Sequence, residues 1–138
     1  MKEKKEVLVI EDEQALSEAV RIALESKGYK TVIKSNGRDG VEYAVKFHPD
    51  LILLDQNMPV MDGNTALHYL RQDRWGKDAR VIVMTNVNDV TTMNTSLGLG
   101  VTDYVLKSEM ELSRVIDMVE KKIADSTKAN EASTAHSS

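Results

Sequence analysis

Five short apolar runs punctuate this chain: Val7 to Ile10, Thr31 to Ile33, Leu51 to Leu54, Val81 to Met84 and Tyr104 to Leu106. Each is too short for a helix and fits a strand. Between them the apolar residues move to helical spacing, as in Leu16, Val20, Ala23 and Leu24, then Val41, Ala44 and Val45, then Ala66, Leu67 and Leu70. The last such stretch is the clearest, with Leu112, Val115, Ile116, Val119 and Ile123 in register. Gly28, and Gly98 with Gly100, stand where the first and fourth helices are expected to stop. Strands that are apolar along their length and alternate with helices predict a parallel sheet covered on both faces. The expected fold is α/β, a doubly wound five-stranded parallel sheet with five helices. It occupies residues 7–124, after a charged extension at 1–6. The stretch "DSTKANEASTAHSS" (125–138) has no apolar period and reads as a disordered polar tail or truncated linker.

Composition removes several function classes. The chain has 138 residues, enough for one domain with a real core, and no apolar run approaches the ~20 residues of a membrane span. Membrane insertion is not expected. The charged N-terminus leads straight into the first apolar run without the features of a signal peptide, so a cytoplasmic location is expected. There is no Cys and only three His, His48, His68 and His136, which disfavours disulfides, thiolate chemistry and a zinc site. A net charge of -4 gives no electrostatic pull toward nucleic acid.

Ligands of open α/β sheets bind beyond the carboxyl ends of the strands. Glu11 and Asp12 follow the first run, Asp55 ends the third, Thr85 follows the fourth and Lys107 the fifth. Singly, each has an ordinary explanation as a cap, turn or surface residue. Together they set three acids, a hydroxyl and an ammonium at one edge of one sheet. Carboxylates ~4 Å apart repel by about 4 kcal/mol per pair at a surface-like effective dielectric, so such a cluster calls for a cation. Oxygen ligands without His or Cys favour magnesium, which commonly bridges one or two carboxylates to a phosphate. Asp55 can then act as a nucleophile forming an aspartyl-phosphate, with Lys107 neutralising the phosphoryl oxygens and Thr85 offering its hydroxyl.

The segments "VLVIEDE", "DLILLDQNMPVMDG", "VIVMT" and "TDYVLK" resemble the response-regulator receiver domain of two-component signalling, of the single-domain, chemotaxis-regulator kind. The resemblance covers residues 7 to about 124. It implies a flavodoxin-like receiver fold with strand order 2-1-3-4-5, the order the general rule for this fold takes from a member of the family. It implies Asp55 as phosphoacceptor, and Mg2+ held by Glu11, Asp12, Asp55 and the Asn57 backbone carbonyl. Lys107 is implied to contact the phosphoryl group, and Thr85 and Tyr104 to form a switch pair acting on the face made by the fourth helix, fifth strand and fifth helix. The implied partners are a sensor histidine kinase or a histidine phosphotransfer protein and an output protein that the sequence does not identify. The implied state is a monomer or a weak phosphorylation-dependent dimer, and the protein is a signalling phosphoacceptor rather than an enzyme.

The sequence departs from the family pattern at four places. Glu11 stands where Asp is commonest. Asn86 follows Thr85 where a small residue is usual. Val87 stands where a polar residue helps orient hydrolytic water, which implies slow self-dephosphorylation. Ser108 follows Lys107 where Pro is usual; a cis bond costs ~3–4 kcal/mol before Ser against ~0.5–1 kcal/mol before Pro, so a trans Lys107-Ser108 bond or a mixture of loop conformers is expected. Two other classes fit less well. A haloacid-dehalogenase-like phosphatase needs an acid two residues after its nucleophile, where this chain has Asn57. A docking module that is never phosphorylated has little reason to keep mutually repelling carboxylates. His48, His68 and Trp75 read as surface, packing and loop-anchoring residues, and Met58, Met61, Met84 and Met93 as core or loop filling.

Overall fold

A computed structural model describes residues 4–58, 61–86, 90–101 and 103–137, with backbone alone at 90 and from 126 onward. Val87, weighed in the sequence, lies outside the described residues. The strands are β1 (Glu6–Ile10), β2 (Lys30–Lys34), β3 (Leu51–Asp55), β4 (Val81–Thr85) and β5 (Asp103–Leu106). They alternate with α1 (Gln14–Ser26), α2 (Gly37–Phe47), α3 (Gly63–Gln72), α4 (Val90–Gly98) and α5 (Leu112–Ser137). The sheet is parallel throughout, in the order β2-β1-β3-β4-β5.

Strand periodicity divides the core in two. Leu8, Ile10, Ile52, Leu54, Val81 and Val83 point to one face, packed with Ala44 of α2 and Ala66, Leu67 and Leu70 of α3. Val7, Val9, Leu51, Leu53, Ile82 and Met84 point to the other, against Val20 and Leu24 of α1 and Val115, Ile116, Val119 and Ile123 of α5. Both faces are thus buried, which is why these strands carry no alternating polar residue.

Local chemistry sets the helix ends. Asn36 accepts from the Asp39 N–H and Asp62 from the Thr65 N–H, each at 2.8 Å, to cap α2 and α3. Gly28 and Gly100 adopt φ of +92° and +85°, a conformation that favours glycine in the turns after α1 and α4. His48 closes α2 at φ +53° and stacks on Trp75 with ring centroids 4.5 Å apart, so Trp75 anchors its loop against the core. Met58 and Met84 are core residues. Lys107-Ser108 is trans, and no cis bond occurs among the described residues. The backbone of α5 is helical as far as Ser137, through the stretch read in the sequence as a disordered polar tail or truncated linker. Its Ala, Lys and Glu content is compatible with helix, and a helix made mainly of small and polar residues has no apolar stripe to betray it.

Candidate phosphoryl-acceptor site

β1 and β3 are neighbours, with Ile10 paired to Leu54, so the residues that follow them emerge side by side. Glu11 continues the β1 ladder through its N–H to the Lys34 carbonyl at 3.0 Å, and Gln56 continues β3 through its N–H to the Met84 carbonyl at 2.8 Å. These bonds fix the backbone on both sides of the acids. Asp55 is 0% exposed and Glu11 1%, whereas Asp12 is exposed. Carboxylate oxygens of all three lie within 4.8 Å of one another. Lys107, just beyond β5, extends past the end of β4 and sets its Nζ 2.8 Å from Glu11 Oε1 and 3.0 Å from Asp55 Oδ1.

Asp55 Oδ1 also accepts the Asn57 N–H at 3.0 Å, and Glu11 Oε2 accepts the Glu13 N–H at 3.0 Å. Asp55 Oδ2 is buried with no hydrogen-bond partner. Two buried carboxylates therefore share one ammonium, leaving negative charge and an unpartnered oxygen at the sheet edge. Burial pushes the Glu11 pKa up to about 7, and the Asp55 carboxylate adds to the rise against the pull of Lys107 and the Glu13 N–H. Burial alone would lower the Lys107 pKa, but the Glu11 and Asp55 carboxylates outweigh it and raise it. Such a site favours a positive charge beside Asp55 Oδ2, and its all-oxygen donor set suits a hard divalent cation.

Thr85 and Asn57 meet across the neighbouring loops. Asn57 Oδ1 accepts the Asn86 N–H at 2.8 Å and lies 3.5 Å from Thr85 Oγ1. The sequence pointed to the Asn57 backbone carbonyl; this use of its side chain was not foreseen. Tyr104 lies half-buried, its hydroxyl donating to the carbonyls of Met93 at 2.9 Å and Val101 at 3.2 Å, so it ties β5 to α4. The structure thus brings Glu11, Asp12, Asp55 and Lys107 together, sets Asn57 and Thr85 beside them, and places Tyr104 under α4.

Residues 7–120 match the model of the response regulator receiver domain. The chain belongs to that family. Receiver domains are the phosphoacceptor modules of two-component systems, and the strand order and helix count of this one are those of the family fold. The receiver is 30% identical over 93% of its length to a probable transcriptional regulator of Porphyridium aerugineum, 53% of which it covers. It spans about half the length of that curated relative. It is 29% identical to the receiver domain of a signal transduction histidine kinase from Syntrophus aciditrophicus, with a TM-score of 0.79 over 88% of this chain and 91% of that one. A receiver domain of a Pseudomonas aeruginosa sensor histidine kinase superimposes with a TM-score of 0.80 at 24% identity, over 88% of this chain and 99% of that one. That protein has a magnesium ion coordinated in its active site cleft.

Proposed function

We propose that this receiver takes a phosphoryl group from a phosphohistidine onto Asp55 in a magnesium-dependent reaction, and that the change is read out on the face formed by α4, β5 and α5. The observation that carries this is the buried Asp55 carboxylate, with one oxygen held by Lys107 and the Asn57 N–H and the other unpartnered. Glu11, Asp12, Asp55 and the Asn57 backbone carbonyl would hold the metal. The bound ion supplies positive charge for the phosphoryl oxygens, as it does in related phosphoryl-transfer sites.

Asp55 Oδ2 attacks phosphorus; the new O–P bond forms as the N–P bond breaks, and the departing imidazole keeps the electron pair and takes up a proton. Lys107 balances the charge of the transferred group, and the Thr85 hydroxyl, 3.5 Å from Asn57 Oδ1, is placed to turn to a phosphoryl oxygen. The donor is a sensor histidine kinase or a histidine phosphotransfer protein, and the readout is an output protein or a weak dimer. The setting is cytoplasmic; none of the described helices is long and apolar enough to cross a membrane. Acetyl phosphate with Mg2+, followed by intact mass, tests the reading. One phosphoryl adduct is expected, abolished by chelator and by Asp55→Asn. No adduct with magnesium present, or an adduct that survives Asp55→Asn, would overturn it.

A further inference from the structure

The loop that follows Asp55 returns to its starting point. Gly63, the first residue of α3, donates its N–H to the Gln56 carbonyl at 3.0 Å. The approach is so close that a Cβ at Gly63 would lie 2.7 Å from Gln56 Cα and 2.8 Å from the Asp55 carbonyl oxygen. The start of α3 therefore moves with the end of β3. The next residue, Asn64, reaches to α4 with both ends of its amide: Nδ2 donates to the Thr92 carbonyl at 3.2 Å, and Oδ1 accepts the Ser96 hydroxyl. Ser96 is 0% exposed, and the Tyr104 hydroxyl holds the Met93 carbonyl one turn away on the same helix.

We propose that Asn64 and Ser96 are positioning residues that form one hydrogen-bonded latch, coupling the Asp55 loop to α4 and Tyr104. The coupling rests on the phosphoacceptor reading; the latch itself does not. A side-chain amide that uses both donor and acceptor on one neighbouring helix fixes that helix in rotation as well as distance. Because Ser96 is sealed from water, its hydroxyl has no solvent as a substitute partner when Asn64 is lost. A shift of the Gln56 backbone reaches α4 through Gly63 and Asn64 without passing through Thr85.

The test is a cycle of Asn64→Leu, Ser96→Ala and the double variant on the full chain. Amide exchange across residues 90–98 is measured without donor, then with acetyl phosphate and Mg2+, with the adduct quantified by mass. Without donor, each single variant is expected to speed exchange in α4 roughly tenfold, and the double variant no more than either, since one unit is lost each time. Asn64→Asp keeps the acceptor for Ser96 and is expected to restore part of the protection. With donor, Asn64→Leu is expected to phosphorylate to the wild-type level while the response of the Tyr104 ring signals is lost. Additive effects, or α4 exchange unchanged in Asn64→Leu, would overturn the latch. An equal Tyr104 response in wild type and Asn64→Leu at equal phosphorylation would overturn the coupling. Failure of the wild type to form an adduct would instead overturn the phosphoacceptor reading, with the donor-free cycle still deciding the latch.

Discussion

Lys107 Nζ lies 2.8 Å from Glu11 Oε1, and the two side chains are 11% and 0% exposed. This ammonium is the cation that makes burial of the Glu11 and Asp55 carboxylates tolerable. Replacing Lys107 by Met strands both acids, so a loss of about 3–5 kcal/mol is expected at pH 8. At pH 5, where the Glu11 carboxyl holds its proton, the loss is expected to be smaller. Urea denaturation at both pH values checks this, and equal losses would refute the charge assignment.

Glu11 also gives the native state a pH dependence of definite sign. Its pKa in the fold, about 7, lies above the 4.5 of the free side chain, so the folded protein binds the extra proton between these values. That contribution is complete below pH 4.5 and is lost as the pH rises through 7, on the order of 3 kcal/mol. Denaturation from pH 4.5 to 8 is expected to show stability falling by this amount in wild type relative to Glu11→Gln. Because metal and proton compete for the same oxygens, Mg2+ is expected to bind more tightly at pH 8 than at pH 6. Calorimetric titration at both pH values measures that difference.

Gly63 is a steric test of the acceptor loop. A Cβ there would meet Gln56 Oε1 at 2.6 Å, which can swing aside, and Gln56 Cα and the Asp55 carbonyl oxygen at 2.7 and 2.8 Å, which as backbone atoms cannot. Gly63→Ala is expected to destabilise the fold by about 1–3 kcal/mol, read as a lower Tm. An unchanged Tm would show that α3 can withdraw from the strand end.

The turn after β5 is loosely held: Met110 donates to the Lys107 carbonyl at 3.4 Å, beyond the usual range. Ser108 supplies no ring to stiffen it. When Lys107 engages a phosphoryl group, amide exchange at residues 107–110 is expected to slow. Exchange unchanged on phosphorylation would mean that packing of β5 and α5 already sets the turn.

Much of this was legible in the sequence because burial on two faces leaves a strong mark. The four residues of Leu51 to Leu54 are apolar for one physical reason, contact with helices above and below. Acids that interrupt such runs at their carboxyl ends point to chemistry there, and Glu11, Asp55 and Lys107 do meet. The sequence did not separate exposed Asp12 from buried Glu11, since adjacent acids look alike until the backbone turns. Asn64 and Ser96 were invisible for a related reason. A polar residue after Asp62-Gly63 reads as turn chemistry, and a Ser in a helix gives no sign that it is sealed between elements. Arg71, whose guanidinium gathers the carbonyls of Gly76, Ala79 and Leu99 at 2.7 Å, leaves no pattern because its partners are backbone atoms. The helical backbone of α5 past Asp125 leaves no mark in the sequence because periodicity detects a buried stripe, not a helix as such.

Locating the phosphoryl group chemically tests the role of Asp55 most directly. After incubation with acetyl phosphate and Mg2+, borohydride reduces an aspartyl-phosphate to homoserine, and peptide mass spectrometry finds the converted residue. Conversion is expected at Asp55 alone, and not in protein treated with chelator. Homoserine at Asp12, or a phosphoryl adduct with Asp55 unconverted, would contradict the assignment of Asp55 as the acceptor.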